Sequence, residues 1–318
     1  MSRFPDRRPS QIAAGVGAID VWAQITTERM LQRPWMQTLL RWTGRSESTL
    51  ESVDSTLRSM DESGVDIALL AAWHGPEGAL ISNDEVAQMI AAAPTRFRGL
   101  VSVDLDRPME AVREIRRWVD RKTFVGVRVV PWLWNLPPND RRYYPVYAAC
   151  VDAGVPVCTQ IGHTGPLRGS EVGRLIPYLE DVMLEFPELV VVGGHVGFPW
   201  IDELTTMTVK FPNFHVDTSA YALHRLPPAF VDWMRGVGAS RVMFGTNWPM
   251  LSPAKCLAGL PRLALSSEQR SAFLRGNAER VFGLASEPTA RSNSHERPAN
   301  SPISAVLPSG PHAVHSGA

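Results

Sequence analysis

The sequence predicts an α/β protein with a (β/α)8 barrel, because eight short strand-like runs alternate with helical segments and several runs are continuously apolar. Runs such as IALLAAW (67–73) and LVVVGG (189–194) are typical of parallel strands that are covered on both faces. Eight such units over about 270 residues fit this barrel better than the competing doubly wound open sheet. The predicted strands are Ala18–Gln24, Asp66–Trp73, Phe97–Asp104, Phe124–Pro131, Pro156–Gly162, Leu189–His195, Phe214–Ala220 and Arg241–Asn247.

Helix-start and helix-stop residues lie between these strands. A capping pattern at 82–85 (SNDE) opens one helix, and Pro108 suits the first turn of another that ends near Arg121. An Asn-Asp pair at 139–140 precedes a helix that stops at Gly154, and Ser267 is a candidate cap for a helix through Arg275. This alternation supports the barrel.

Two segments depart from the strand–helix rhythm. Residues 25–48 form a long insertion after the first strand, of the kind that serves as a lid or a pocket wall. After residue 285 the composition changes to Ser, Pro, Ala, Asn and His with few large apolar residues. The sequence therefore predicts a distorted barrel domain over residues 1–285 and a disordered tail over 286–318.

Composition excludes several classes of protein. The chain has 318 residues with 32 basic and 32 acidic side chains, so a nucleic-acid or acidic-membrane partner is not expected. The three cysteines form no CxxC pair, and neither a signal peptide nor an apolar run of about 18 residues is present. We expect a cytoplasmic protein with a small-molecule substrate and no organic cofactor. The sequence leaves a homodimer open.

In a barrel of this type the reactive groups lie at the carboxyl ends of the strands. His195 and His163 each follow a glycine there, and packing alone does not explain a histidine in such a place. Asn247 ends the last strand within FGTNWP and places a neutral amide there. Asp20 and Asp217 also lie near strand ends, although either carboxylate could be purely structural.

Tryptophan is concentrated at the same end of the predicted barrel. These side chains could simply pack beneath the loops, but together they would form a wide aromatic mouth. This favours a bulky or aromatic substrate. The tryptophans at or just after strand ends are Trp22, Trp73, Trp132, Trp134, Trp200 and Trp248.

The order of several short motifs resembles the amidohydrolase superfamily, in the branch that includes aminocarboxymuconate-semialdehyde decarboxylase. The resemblance runs from about Ala18 to Leu284, and no single motif is decisive. The motifs are ID at 19–20, GVR at 126–128, LPPND at 136–140, GVPV at 154–157, GHVG at 194–197, FGTNWP at 244–249 and NAERVFGL at 277–284.

This resemblance implies a barrel that holds a divalent metal such as Zn, Fe or Mn. The family's ligands are a His-x-His pair on strand one, a histidine on strand five, often a histidine on strand six, and an aspartate on strand eight. Only the strand-six histidine is kept, as His195. The other positions carry Trp22, Gln24, Gln160 and Asn247. Neutral amides and an indole are poor zinc ligands, so the usual site cannot form.

Three interpretations follow. His163 and His195 with Asp20 or Asp217 could bind one or two metal ions in an altered site. Alternatively, a metal-free enzyme could use either histidine as a base. Finally, the barrel could bind a ligand without turnover. Further residues expected to contact the substrate are Trp22, Gln24, Trp73, His74, Trp132, Gln160, Trp200 and Trp248.

The leading hypothesis is a hydrolase that cleaves an ester, thioester or lactone of a bulky apolar acid. A histidine would activate water, and Asn247 or Gln160 would donate to the developing oxyanion. The alternatives are a metal-dependent decarboxylase of an aromatic or muconate-type acid and a non-catalytic ligand-binding barrel.

Overall fold

The computed structural model describes residues 17–44 and 49–284, and within them all eight predicted strands form one parallel sheet. Every predicted strand is present, but most are shorter than expected. In sheet order the strands are β1 (Ala18–Ala23), β2 (Val65–Ala71), β5 (Phe97–Val101), β6 (Phe124–Val129), β7 (Val157–Gln160), β8 (Val191–Gly194), β9 (Phe214–Asp217) and β10 (Val242–Met243).

Backbone hydrogen bonds between the first and last strands close the sheet. Val21 N–H donates to the Phe244 carbonyl at 3.0 Å, and Asn247 N–H donates to the Trp22 carbonyl at 2.7 Å. Gln24 N–H completes this seam by donating to the Trp248 carbonyl at 3.1 Å. The predicted (β/α)8 barrel is therefore confirmed, and the open-sheet alternative is wrong.

Helices connect the strands. The capping box between Ser82 and Glu85 forms, whereas the cap predicted at Ser267 is supplied by Ser266, whose hydroxyl accepts from Gln269 N–H. The helix expected to reach Arg121 is shorter, since Val119 leaves it to bridge with the next strand.

The helices are α1 (Glu28–Leu31), α2 (Met36–Thr43), α3 (Val53–Ser63), α4 (Asn83–Ala92), α5 (Pro108–Trp118), α6 (Pro131–Trp134), α7 (Tyr144–Ala153), α8 (Tyr178–Glu185), α9 (Ile201–Lys210), α10 (Pro228–Arg235), α11 (Pro253–Leu257), α12 (Ser267–Ser271) and α13 (Asn277–Phe282). A π-helical turn over Ala272–Gly276 joins the last two.

An antiparallel hairpin after β2 was not predicted. Its strands are β3 (Trp73–Gly75) and β4 (Gly78–Ile81). The sequence analysis extended the second barrel strand through Trp73, but β2 ends at Ala71 and the chain turns into the hairpin. The hairpin therefore adds a wall above the carboxyl ends of the strands.

The insertion after β1 folds into α1 and α2 as far as residue 44. The Thr27 hydroxyl donates to the Leu80 carbonyl at 2.5 Å, and Arg29 pairs with Glu85 at 2.5 Å. Trp35 and Met36 are buried, whereas Trp42 is 64% exposed. The rest of the insertion, residues 45–48, and the predicted tail over 286–318 lie outside the described residues.

In the described part of the chain, no helix is both long enough and apolar enough to cross a membrane.

Trp22 is a fully buried side chain that depends on neighbouring glycines. A Cβ atom at Gly194 would overlap the Trp22 indole, and one at Gly245 would lie 3.2 Å from Trp22 Cβ. Close packing in a protein interior leaves no room for the indole to move aside. The glycines that end β8 and precede Thr246 thus allow the barrel to contain a tryptophan.

We predict that Gly194→Ala lowers the free energy of unfolding by about 1–3 kcal/mol, because overpacking against Trp22 forces side chains from their preferred rotamers. Urea denaturation monitored by circular dichroism measures this loss. Gly169→Ala is the matched control, since no atom lies within 4 Å of its added Cβ. Equal stability of the two variants would contradict the packing described for Trp22.

Candidate active site at the carboxyl ends of the strands

The ends of β8, β9 and β10 carry residues with an uncommon backbone conformation. His195, Val196, Ala220 and Asn247 have φ angles of 74°, 65°, 64° and 70°. Non-glycine residues in this left-handed region each cost roughly 1–3 kcal/mol, and such strain is concentrated at functional sites. The backbone therefore favours this end of the barrel as the candidate site.

Gln24 and Asn247 are bonded to each other across the seam that closes the barrel. Gln24 Nε2 donates to Asn247 Oδ1 at 3.0 Å and to the Trp248 carbonyl at 2.5 Å. Gln24 Oε1 is buried without a hydrogen-bond partner. Since an amide cannot take up a proton at neutral pH, this pair cannot act as a general base.

Gln160, at the end of β7, is held at both ends of its amide. Trp132 Nε1 donates to Gln160 Oε1 at 2.6 Å, and Gln160 Nε2 donates to the His163 carbonyl at 3.1 Å. The side chain is buried. Its role here is to fix the tryptophan and the loop that carries His163.

The two predicted catalytic histidines have different surroundings. His195 Nδ1 lies 2.6 Å from Ser219 Oγ, and its ring packs on Trp22 with centroids 4.9 Å apart. Burial, with Arg128 nearby, lowers the pKa of His195 to about 3, so the imidazole is neutral. His163 is half-buried, with Nδ1 3.4 Å from Ser170 Oγ and a buried Nε2 that lacks a partner.

Two buried aspartates lie near Trp22. Burial raises the pKa of Asp20 to about 7 and that of Asp217 to about 6. Thr246 donates its N–H to Asp20 Oδ1 at 2.9 Å and its hydroxyl to Oδ2. Asp217 Oδ1 accepts from Ser219 N–H at 2.8 Å, whereas its Oδ2 is buried without a partner. Both carboxyl groups can therefore hold a proton near neutral pH.

Arg128, on β6, places a fixed positive charge inside the barrel. Its guanidinium carbon lies 3.7 Å from the centroid of Trp22, and its nitrogens donate to the carbonyls of Val21 and Ala23 at 3.3 and 3.4 Å. Burial lowers the pKa of Arg128 to about 10, so the group remains charged. Cation–π contact with Trp22 partly replaces the lost hydration.

Trp35, Trp73 and Trp132 pack together and are called here the tryptophan layer. The Trp35 ring lies 6.3 Å from that of Trp73 and 5.2 Å from that of Trp132. All three are buried. Because Trp132 also donates to Gln160, the layer rests directly on the strand-end polar groups.

The remaining predicted substrate contacts lie elsewhere in the loops. His74 stacks on Trp134 at 6.1 Å, and Trp134 Nε1 donates to the His74 carbonyl at 2.9 Å. Trp248 is half-buried and donates through Nε1 to Thr56 Oγ1 at 3.3 Å. Trp200 immediately precedes α9 and is half-buried. These residues therefore do not all surround one space.

A cavity of about 460 Å³ opens above the tryptophan layer. It lies between the start of α2, the β3–β4 hairpin, α6 and the loop after β7. None of the predicted site residues lines it. Its walls include Arg33, Trp35, Glu77, Trp134 and Arg168. Trp134 is one of the predicted strand-end tryptophans, and Trp35 lies in the predicted insertion over residues 25–48. The charged residues were missed, because an arginine in a surface loop follows no pattern that marks a function.

The donor atoms at the strand ends do not fit a divalent metal. In the described ranges, no group of three or more His, Cys, Asp or Glu side chains is arranged to hold a metal ion. The predicted set of His163, His195 and Asp20 therefore does not form such a group. The Gln24 and Asn247 amides bond to each other, so they do not converge on a vacant position as ligands would.

Comparison with known proteins identifies the family. The amidohydrolase family model matches residues 19–284. The chain belongs to the amidohydrolase family. It is 24% identical over 303 residues to the γ-resorcylate decarboxylase of Polaromonas sp. strain JS666, with 76% of this chain and 91% of the relative covered.

Two solved structures share the fold. An uncharacterised TIM-barrel protein from Bordetella bronchiseptica has a TM-score of 0.72 at 24% identity, covering 84% of this chain and 99% of the other. A dihydroxybenzoic acid decarboxylase from Polaromonas sp. JS666, solved with manganese and the inhibitor 2-nitroresorcinol, has a TM-score of 0.64 at 23% identity, covering 84% and 97%.

These relatives confirm an enzyme family and correct the predicted reaction. The leading hypothesis of ester, thioester or lactone hydrolysis is wrong, because the curated relative matched over nearly its full length is an aromatic-acid decarboxylase. Most of the metal ligands that the family resemblance implies are missing from this chain. However, a changed ligand set does not by itself indicate a different bond to be cleaved.

We predict that the triple variant Gln24→His/Gln160→His/Asn247→Asp binds Mn²⁺ at least about tenfold more tightly than the unaltered chain, since it supplies imidazole and carboxylate donors at the strand ends. Electron paramagnetic resonance of free Mn²⁺ measures the difference. Asn247→Asp alone serves as the intermediate control. If the unaltered chain bound Mn²⁺ as tightly as the triple variant, and Gln24→Leu lost that binding, the purely structural role of the Gln24 and Asn247 amides would be contradicted.

Proposed function

We propose that this chain catalyses the non-oxidative decarboxylation of an aromatic carboxylic acid. The observation that carries the proposal is the match to γ-resorcylate decarboxylase over 91% of that enzyme, within one amidohydrolase barrel. Two tryptophans in the cavity wall support an aromatic substrate, since indole rings offer large flat contact surfaces. A metal-dependent decarboxylase of an aromatic or muconate-type acid is one of the two alternatives predicted from the sequence.

Decarboxylation replaces a ring carbon–carboxylate bond with a carbon–hydrogen bond, so the ring carbon must receive a proton as CO₂ leaves. Asp217 does not line the cavity, so it can act only on a substrate that has moved past the tryptophan layer to the strand ends. Among the strand-end groups it is the most suitable donor, because burial raises its pKa to about 6 and its Oδ2 has no competing partner. Asp20 has a similar pKa, but both of its oxygens accept hydrogen bonds from Thr246. His195 is a weaker candidate because its pKa of about 3 leaves it without a proton to donate.

The expectation of a divalent metal is supported by the manganese in the related decarboxylase structure. The residues at the corresponding positions of this chain do not fit that ion, so no step is assigned to it. Arg128 supplies a buried positive charge at the same end of the barrel. Its charge favours an anionic substrate and opposes protonation of His195.

The second candidate is a barrel that binds an aromatic acid without turnover. The observation that favours it is the amide pair of Gln24 and Asn247, which occupies positions where the family resemblance implies metal ligands. For such a barrel we expect saturable binding of the aromatic acid and no release of CO₂.

The proposed function is tested with the purified full chain and a panel of benzoic acids bearing one or two ortho hydroxyl groups. We expect equal amounts of CO₂ and the matching phenol from at least one acid, measured by gas chromatography and ultraviolet absorbance. Assays run with Mn²⁺ and with a chelator report whether an added ion matters. Binding without CO₂ release throughout the panel would favour the second candidate.

We predict that Asp217→Asn lowers kcat by about 10²-fold or more with little change in KM, since a general acid acts in the transition state. Steady-state kinetics on the best substrate measures both constants. Asp152→Asn is the matched control, because Asp152 is an exposed residue near the end of α7. A variant at position 217 with full kcat would exclude this proton donor.

A further inference from the structure

The cavity above the tryptophan layer is separate from the polar groups at the strand ends. Trp35 lines the cavity and packs on Trp132, whose Nε1 is bonded to Gln160 on the other side. His163, His195, Asp20 and Asp217 do not line the cavity. A ligand there would contact the loops and the layer, not the polar groups beneath it.

The charged residues of the cavity wall leave one positive charge uncompensated. Arg33 forms an ion pair with Glu77, so these two side chains cancel. Arg168 is exposed and forms no ion pair within the described ranges. Its Nη1 donates to the carbonyls of Trp132 and Leu133 at 3.2 and 3.3 Å, which anchors the guanidinium at the cavity and leaves Nη2 without a described partner. An anchored guanidinium with a free N–H edge suits a carboxylate.

The aromatic walls of the cavity are held in place by other contacts. Trp35 is buried and packs against Trp73 within the tryptophan layer. Trp134 is held by the hydrogen bond from its Nε1 to the His74 carbonyl. Leu80 and Leu133 add apolar surface. A volume of about 460 Å³ is ample for a single substituted benzene ring and lies in the usual range for small-molecule sites.

We propose that this cavity is a recognition site for an aromatic carboxylate, with the carboxylate on Arg168 and the ring against Trp35 and Trp134. The choice of an aromatic acid as the ligand rests on the proposed function. The site itself is defined by the cavity and by the positive charge of Arg168. The acid is first bound at the mouth by a fixed guanidinium, before it reaches the strand-end groups. Recognition of the carboxylate therefore requires no ion at the strand ends.

The proposal is tested by binding, which is measured independently of turnover. Isothermal titration of the full chain with 2-hydroxybenzoate and with the neutral 2-hydroxybenzamide compares a charged and an uncharged ligand of nearly the same shape. We expect the acid to bind at least tenfold more tightly than the amide. Arg168→Gln removes this preference, and Arg168→Lys retains part of it. Arg113→Gln, at an exposed site on α5, binds like the unaltered chain.

Three results would overturn the proposal. These are unchanged affinity for the acid in Arg168→Gln, equal affinity of the unaltered chain for acid and amide, and no saturable binding of the acid. Circular dichroism of each variant establishes that it is folded. CO₂ release that persists with unchanged KM in Arg168→Gln would reject the site but keep the proposed function. Binding that depends on Arg168 without CO₂ release would keep the site and reject decarboxylation.

Discussion

The side-chain hydrogen bond between Gln24 and Asn247 is the interaction on which the rest of the site depends. It joins the first and last strands where three backbone hydrogen bonds also close the barrel. It uses two of the three positions that the family resemblance assigns to metal ligands on strands one and eight. The chain thus closes its barrel with a pair of neutral amides across the seam.

Other strand-end residues also differ from the ligand set that the family resemblance implies. Trp22 occupies a third ligand position, and Gly194 leaves the space that its indole fills. Arg128 stacks on that indole and brings a positive charge into the barrel. Gln160 uses its amide to hold Trp132. These contacts hold the strand-end side chains in place, although Gln24 Oε1, Trp22 Nε1 and Asp217 Oδ2 are buried without a hydrogen-bond partner. The tryptophan layer lies above these groups, and the cavity opens beyond that layer.

Much of the fold could be predicted because parallel strands and capped helices leave strong local patterns. The run IALLAAW marks β2, and the capping box at Ser82 marks the start of α4. The β3–β4 hairpin was missed because Trp73 continues the apolar run of β2, although the chain reverses soon afterwards. The exchange of ligand residues was visible in the sequence, but the mutual bonding of Gln24 and Asn247 was not. Arg168 was missed because its guanidinium is held at the cavity by hydrogen bonds to two carbonyls of α6. These carbonyls lie far from Arg168 along the chain, so the sequence does not indicate the contact. The reaction was predicted wrongly, since no residue pattern distinguishes hydrolysis from decarboxylation once the ligands have changed.

The proposed recognition of an aromatic acid takes place at the mouth of the barrel rather than through an ion at the strand ends. The most direct measurement is a crystal structure of the full chain with 2-hydroxybenzoate and Mn²⁺, using diffraction recorded at the manganese absorption edge. We expect ligand density between Trp35 and Trp134 with its carboxylate on Arg168, and no anomalous peak beside Gln24, Gln160 or Asn247. An anomalous peak among those three side chains, with the carboxylate bound to it, would contradict recognition of the acid at the mouth.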